Sequence, residues 1–150
     1  MCGVFGFFSP EAEGAAEIGY LGLYALQHRG QESAGLAVSD GRRIRIRKGM
    51  GLVTQVLTDE VVEQMPGSIS LGHVRYSSAG EPHVANAQPL LGFTQHGQIA
   101  LAHNGRLINA PSLRRELQLQ GSVLQTTTDS ELILNLIARH AGNPVEEAVV

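Results

Sequence analysis

An Asp40-Gly41 dipeptide lies between two runs that favour β-strands, and it constrains the fold more than any other short pattern in the chain. The first run covers residues 34–39, and the second, 42–48, alternates basic residues with isoleucine. Asp-Gly between such runs is a strong hairpin signal, because glycine readily adopts the positive φ that tight hairpin turns require. The pattern predicts two antiparallel strands, the second with one solvated basic face.

Further strands and helices are predicted to alternate at short intervals. Apolar or alternating runs bounded by turn residues predict strands over 2–8, 68–76, 88–93, 98–103 and 122–125. Helical spacing and capping signals predict helices over 15–27, 58–65, 109–120, 129–141 and from 144 onward. In the first helix a seam of small residues is expected to pack on a sheet, through Ile18, Leu21, Gly22 and Ala25. This order of elements predicts an α+β fold with largely antiparallel sheets.

The composition is typical of an ordinary globular domain. A net charge of −3 over 150 residues gives no reason to expect nucleic-acid binding. No apolar run reaches the ~18 residues that a membrane-spanning helix needs, so no membrane contact is expected. The single cysteine excludes an internal disulfide within this span, and the six histidines lack metal-ligand spacing. We therefore expect a cytoplasmic protein with no metal or cofactor in this span.

That cysteine, Cys2, stands where removal of Met1 would make it the N-terminal residue. A free α-amine has a pKa near ~8, so an N-terminal cysteine combines a nucleophile and a general base on one residue. The alternative is structural, because a cysteine beside Val4 and Phe5 can simply be a small apolar residue in a buried strand.

Polar, glycine-bearing clusters follow several predicted elements. Five segments in order, beginning with Cys2-Gly3, resemble the glutaminase domain of the amidophosphoribosyltransferase family; the other four are Leu26-Gln27-His28-Arg29-Gly30-Gln31-Glu32-Ser33-Ala34-Gly35, Gly72-His73-Val74-Arg75-Tyr76, Leu101-Ala102-His103-Asn104-Gly105 and Thr128-Asp129-Ser130-Glu131. These enzymes are N-terminal-nucleophile glutamine amidotransferases. A sister family that makes aminosugar phosphates would be expected to have tyrosine at His28 and tryptophan at Tyr76, and this chain has neither.

The resemblance implies an αββα sandwich of the N-terminal-nucleophile hydrolase type. Residues 1–150 would form the N-terminal part of a type 2 glutamine amidotransferase domain. The helix predicted from Pro144 stops after two turns at Val150, so we expect a truncated domain within a longer protein.

The resemblance also implies catalytic roles. Cys2 would attack the side-chain amide of glutamine, and the Asn104 side chain with the Gly105 N–H would hold the oxyanion. From the residues alone, Asn104-Gly105 could equally be an ordinary turn.

Substrate-binding roles follow in the same way. Arg75 would bind the α-carboxylate of glutamine through its planar fork, and Asp129 would bind the α-ammonium. Arg29 and Ser78 would line the pocket, and Tyr76 would belong to a loop that closes over it. The structural alternatives are a surface ion pair for Arg75, a helix N-cap for Asp129 and helix C-terminal contacts for Arg29.

The family further implies that ammonia passes to a phosphoribosyltransferase domain, absent from this chain, where it displaces pyrophosphate from phosphoribosyl pyrophosphate. Magnesium is expected in that domain, and a homo-oligomer at full length; an iron–sulfur cluster is left open. Two alternatives stand beside this reading: a sister amidotransferase with another ammonia acceptor, and a non-catalytic glutamine-binding module.

Overall fold

The computed structural model describes residues 1–10, 14–76, 82–94 and 97–140. Within these ranges the strands are β1 (Gly3–Phe8), β2 (Ser33–Ser39), β3 (Ile44–Met50), β4 (Ile69–Arg75), β5 (Leu90–Thr94) and β6 (Gly97–Leu101). The helices are α1 (Ala15–Ala25), α2 (Val53–Val56), α3 (Asp59–Glu63), α4 (Ala110–Leu119) and α5 (Asp129–Arg139), with short 3-10 turns at Gln27–Arg29 and Val84–Asn86. None of the helices in these ranges has the length and apolar character needed to cross a membrane.

Four strands form the larger sheet in the order β1-β4-β2-β3, and every neighbouring pair is antiparallel. Gly3 pairs with Val74, and Ser33 pairs with Arg75. The beginnings of β1 and β2 therefore meet the end of β4 at one end of the sheet.

The hairpin at Asp40-Gly41 is confirmed, with Ser39 paired to Ile44. Asp40 Oδ1 accepts hydrogen bonds of 2.9 Å from the backbone N–H groups of Arg42 and Arg43. Those bonds, led by the one from Arg43, and an ion pair with Arg45 hold the pKa of Asp40 well below its usual range. Because these two N–H groups bond to Asp40, β3 begins at Ile44, two residues later than predicted.

Helix α1 packs closely on one face of the larger sheet because it carries glycines there. A Cβ atom on Gly22 would lie 2.5 Å from the Phe5 ring, and one on Gly19 would lie 2.7 Å from Leu36. Both distances are shorter than van der Waals contact, so no larger side chain fits without a shift.

The predicted small-residue seam is correct at Gly22 but wrong in its orientation. Leu21 is 61% exposed, and Ala25 is also exposed. The face of α1 that is buried consists of Ala15, Ala16, Gly19 and Leu23. Because Gly19 lets the helix approach Leu36 of β2 closely, the face of α1 that contains Gly19 is the one turned toward the sheet.

The small sheet of β5 and β6 covers the opposite face. Ala100 of β6 lines a groove with Ala37 and Leu71 of the larger sheet. On the far side of β5, a Cβ atom on Gly92 would lie 3.2 Å from Leu134 of α5. The order α1, larger sheet, smaller sheet, α5 is that of an αββα sandwich, which confirms the expected fold class.

The strand predicted over 122–125 is wrong. The Glu131 carboxylate accepts hydrogen bonds of 2.7 and 2.8 Å from the backbone N–H groups of Gln125 and Thr126. A side chain of the following helix therefore takes the donors that a neighbouring strand would need. The helix predicted from Pro144 lies outside the described residues.

His73, in the middle of β4, is fully buried. Neither ring nitrogen has a hydrogen-bond partner of good geometry among the described residues. The pKa of His73 is lowered to about 4, chiefly by burial and to a smaller extent by the charges of Arg75 and His103, while the His103 backbone opposes the shift only in part. The folded protein therefore favours the neutral ring.

The burial of His73 predicts a loss of stability in mild acid. Between about pH 6.5 and pH 4 the unfolded state binds the proton more readily, so the free energy of unfolding falls as the pH falls. From pH 7 to pH 5 this single group should cost about 2 kcal/mol. Urea unfolding of a His73→Gln variant should show that much less loss than the wild type, whereas His140→Asn, at an exposed site, should retain the full loss. Equal losses in wild type and His73→Gln would contradict the assignment.

Gly35 of β2 has no room for a side chain, because a Cβ atom there would lie 2.3 Å from the Gln88 backbone oxygen. Gly35→Ala should therefore lower the free energy of unfolding by about 1–3 kcal/mol through overpacking. Gly6→Ala is the matched control, since a Cβ atom on Gly6 of β1 meets no atom within 4 Å. Denaturant unfolding should show a small effect for this control, and similar losses at both positions would contradict the packing argument.

Candidate active site

Cys2 lies immediately before β1, and the pairing of β1 with β4 places it beside the end of β4. Its Sγ atom lies 3.6 Å from the carbonyl oxygen of Tyr76, to which the thiol can donate a weak hydrogen bond. The side chain is partly exposed. A thiol at the edge of the sheet is accessible to a small substrate, unlike a cysteine packed inside a strand.

Two side chains donate hydrogen bonds to the carbonyl oxygen of Cys2. Arg29 Nε lies 3.0 Å from it, and Asn104 Nδ2 lies 2.9 Å from it. The arginine comes from the 3-10 turn after α1, and the asparagine follows β6. The predicted residues Cys2, Arg29, Tyr76 and Asn104 are thus brought together from four separate parts of the chain.

Gly30 allows the Arg29 turn to approach β4. A Cβ atom on Gly30 would lie 2.7 Å from backbone atoms of Val74 and Arg75. Arg29 therefore reaches Cys2 from a turn seated directly on the β4 backbone, which is a more specific role than contact with helix C-terminal carbonyls.

Arg75 is oriented by Glu32, a residue that sequence reasoning did not single out. Arg75 Nε lies 2.8 Å from Glu32 Oε1, and the two side chains are 19% and 12% exposed. Arg75 Nη1 also lies 3.4 Å from the Asn86 carbonyl oxygen. The ion pair is therefore largely buried, not a surface pair, and it holds the guanidinium at the end of β4.

Asp129 is the first residue of α5 and not its N-cap, a position that Thr128 occupies. Its Oδ2 atom accepts a hydrogen bond of 2.7 Å from the Leu107 backbone N–H. Asp129 thus holds the segment that follows Asn104-Gly105, so the cap alternative is wrong. Leu107 follows Gly105 by two residues, so this contact places Asp129 near the candidate oxyanion hole.

The turn at Gly105 is also tightly packed. A Cβ atom on Gly105 would lie 2.6 Å from the His103 ring.

Tyr76 is 57% exposed at the end of β4. Ser78, the remaining predicted site residue, lies outside the described residues.

Two buried amide side chains support the site, and sequence reasoning missed both. Gln88 bonds to the backbone of His103, and Asn86 bonds to Thr127. Their partners are 15 and 41 residues away along the chain. A polar stretch just before an apolar strand was the only signal in the sequence, and it does not name those partners.

Lys48 of β3 reaches the same stretch. Its Nζ atom lies 2.6 Å from the Ala87 carbonyl oxygen, and burial lowers the pKa of its ammonium group. Among the described residues, no three histidine, cysteine or acidic side chains cluster in a way that could hold a metal ion.

Solved structures resemble this chain closely. A glutamine phosphoribosylpyrophosphate amidotransferase from B. subtilis, complexed with ADP and GMP, superposes with a TM-score of 0.88 at 40% identity, over 99% of this chain and 31% of that one. A structure described as the allosteric regulatory enzyme of purine biosynthesis gives a TM-score of 0.91 at 41% identity, over 99% and 32% of the two chains.

Curated relatives agree with the structures. The amidophosphoribosyltransferase of Synechococcus elongatus is 54% identical over 132 residues, which cover 88% of this chain and 27% of the relative. That of Methanocaldococcus jannaschii is 49% identical over 139 residues, which cover 93% and 30%. This chain therefore spans under a third of the length of these relatives. Residues 58–149 match the family model described as the glutamine amidotransferase domain, and the chain belongs to that family.

Proposed function

We propose that this chain forms part of a glutaminase domain in which Cys2 hydrolyses glutamine to glutamate and ammonia. The observation that carries the proposal is the hydrogen bond of 2.9 Å from the Asn104 side-chain amide to the main-chain carbonyl oxygen of Cys2, 102 residues earlier in the chain. A partly exposed thiol on a residue that also holds a neutral amide donor suits acyl transfer. Membership of the glutamine amidotransferase family supports glutamine as the substrate.

The chemistry requires the removal of Met1, which frees the α-amine of Cys2. The amine takes the thiol proton, and the thiolate attacks the amide carbon of glutamine to form a carbon–sulfur bond and an oxyanion. When the oxyanion collapses, the carbon–nitrogen bond breaks and ammonia departs with the proton from the α-ammonium. Water then attacks the glutamyl thioester by the same route, releasing glutamate and restoring the thiol.

Asn104 and Gly105 stabilise the oxyanion in this proposal. The Asn104 amide nitrogen carries two hydrogens, and one of them points to the Cys2 carbonyl oxygen. The second would bond the oxyanion together with the Gly105 N–H. Since the Cys2 carbonyl anchors the asparagine beside the thiol, the donor is already oriented before the substrate arrives.

Arg75 and Asp129 read the two ends of the free amino acid. The Nε atom of Arg75 is used by Glu32, so the terminal nitrogens would bind the α-carboxylate. One oxygen of Asp129 accepts from Leu107, and the other would accept from the α-ammonium. Arg29 and Ser78 would line the pocket, and Tyr76 would close over it.

For the intact protein we propose that ammonia displaces pyrophosphate from phosphoribosyl pyrophosphate, giving phosphoribosylamine. This acceptor is supported by the names of the relatives, which are amidophosphoribosyltransferases. The step would take place in a phosphoribosyltransferase domain that, like its magnesium, lies beyond this chain. A solved structure that resembles this chain is described as an enzyme of purine biosynthesis, which supports that pathway. We propose that the intact protein acts there in the cytoplasm, as a homo-oligomer.

Substitution of Cys2 tests the two halves of the proposal separately. In the full-length natural protein, Cys2→Ser should abolish glutamine-dependent formation of phosphoribosylamine, because a serine hydroxyl is a far weaker nucleophile than a thiolate. The same variant should still use free ammonia at the wild-type rate. Product formation from each nitrogen source is the measurement, with mass spectrometry to establish that Met1 is absent.

Each result of the Cys2 experiment is decisive. Glutamine-dependent activity that survives in Cys2→Ser would exclude the nucleophile. Glutaminase activity without transfer to phosphoribosyl pyrophosphate would favour another ammonia acceptor. Retention of Met1 in the purified protein, with no ammonia release, would favour a glutamine-binding module.

Arg75→Lys should raise the Michaelis constant for glutamine roughly 10- to 100-fold, because a point charge cannot replace the bidentate fork. Steady-state glutaminase assays measure the change. Arg115→Lys, at an exposed position in α4, is the matched control and should leave the constant unchanged. A Michaelis constant that hardly moves in Arg75→Lys would remove this arginine from carboxylate binding.

A further inference from the structure

The segment Asn86–Gln88 lies between the two sheets and is held in place by the larger one. Lys48 of β3 donates a hydrogen bond to the Ala87 carbonyl oxygen. The Gln88 backbone oxygen rests against Gly35 of β2, where even a Cβ atom would approach to 2.3 Å. The segment therefore has a fixed position that does not depend on its own contacts with the candidate site.

From this position the Gln88 side chain bonds to both the backbone N–H and the backbone carbonyl of His103. Its Oε1 atom accepts a 2.8 Å hydrogen bond from the His103 N–H, and its Nε2 atom lies 3.3 Å from the His103 carbonyl oxygen. Gln88 is only 4% exposed, so water cannot readily replace these bonds. The amide acts as a neighbouring strand would, two residues beyond the end of β6.

The residue held in this way immediately precedes Asn104-Gly105. Asn104 bonds to the Cys2 carbonyl oxygen, and the segment is tied again at Leu107 by Asp129. The turn that would hold the oxyanion is therefore clamped at both ends.

The contact between Asp129 and Leu107 is itself supported by the segment Asn86–Gln88. Asn86 Nδ2 lies 2.9 Å from Thr127 Oγ1, and the Thr127 N–H donates a 3.0 Å hydrogen bond to Asn86 Oδ1. Thr127 stands two residues before Asp129. Gln88 and Asn86 thus support the two clamps from one short stretch of chain.

We propose that Gln88 is a positioning residue that holds the Asn104-Gly105 turn in the geometry needed to stabilise the oxyanion, while Asn86 positions Asp129 through Thr127. The proposal rests on the glutaminase function proposed above. Gln88 touches no reacting atom. Because it positions the donors to the oxyanion, its effect is confined to the transition state, in which the oxyanion exists. Asn86 acts through Asp129, which is assigned to the α-ammonium and also bonds to Leu107, so its effect falls mainly on the binding of glutamine.

The test replaces Gln88 by methionine, which has nearly the same length and cannot make either hydrogen bond. In the full-length natural protein, Gln88→Met should lower kcat for glutamine hydrolysis roughly 100-fold, because small misplacements of catalytic groups cost about that much. The Michaelis constant for glutamine should stay close to the wild-type value. Asn86→Leu should show the opposite pattern, with the larger change in the Michaelis constant.

Alkylation of Cys2 by iodoacetamide separates positioning from general damage. Alkylation forms no oxyanion, so its rate should be the same in Gln88→Met as in the wild type. Gln118→Met, the same substitution at an exposed position of α4, should change neither rate. A kcat within threefold of the wild type in Gln88→Met would overturn the proposal, and so would an alkylation rate that falls by the same factor as hydrolysis.

Amide hydrogen exchange gives a readout that does not require activity. Exchange across residues 103–107 should be faster in Gln88→Met than in the wild type and unchanged in Gln118→Met. If the wild type releases no ammonia, the proposed function is wrong, and unchanged exchange in Gln88→Met would then overturn the positioning role as well. If Gln88→Met fails to fold, Gln88→Glu replaces it, since a carboxylate keeps the acceptor for the His103 N–H and loses only the donor.

Discussion

The antiparallel pairing of β1 with β4 is the constraint on which the candidate site depends. Gly3 pairs with Val74, which places Cys2 next to the last residues of β4. Ser33 pairs with Arg75, which brings the beginning of β2 to the same end of the sheet. A slip of one residue in this register would turn every side chain of β1 to the other face of the sheet. The register is protected because one face of β1 packs on α1, through Phe5 against Gly22, whereas the other face, with Val4 and Phe8, is exposed.

Close backbone approach is the second requirement, and glycine meets it where the layers converge. Gly30 lets the Arg29 turn sit on the β4 backbone, and Gly35 lets the segment before β5 sit on β2. In each case the absent side chain leaves room for a backbone that carries or supports a site residue. These glycines are needed for the space that they leave, since neither is among the glycines with positive φ.

Hydrogen bonds to partly buried backbone then orient the site. Gln88, Asn86 and Asp129 each satisfy backbone groups in loops, where no neighbouring strand can do so. A buried backbone N–H without a partner is costly, so a loop that receives such a bond is held in one conformation. Rigid loops at the end of a sheet can keep a nucleophile and its oxyanion donors in register, which mobile loops cannot.

The sequence by itself determined the local structure and the identity of the chemical groups. The hairpin, the main helices and the αββα class follow from turn residues, periodicity and family resemblance, and the polar clusters already contained Cys2, Arg29 and Asn104. Only the tertiary structure decided which stripe of α1 is buried, why no strand forms over 122–125, and that Glu32 and Gln88 hold the site together. The physical reason is that propensity and periodicity act over a few residues, whereas these contacts join groups many residues apart and depend on how closely the layers pack.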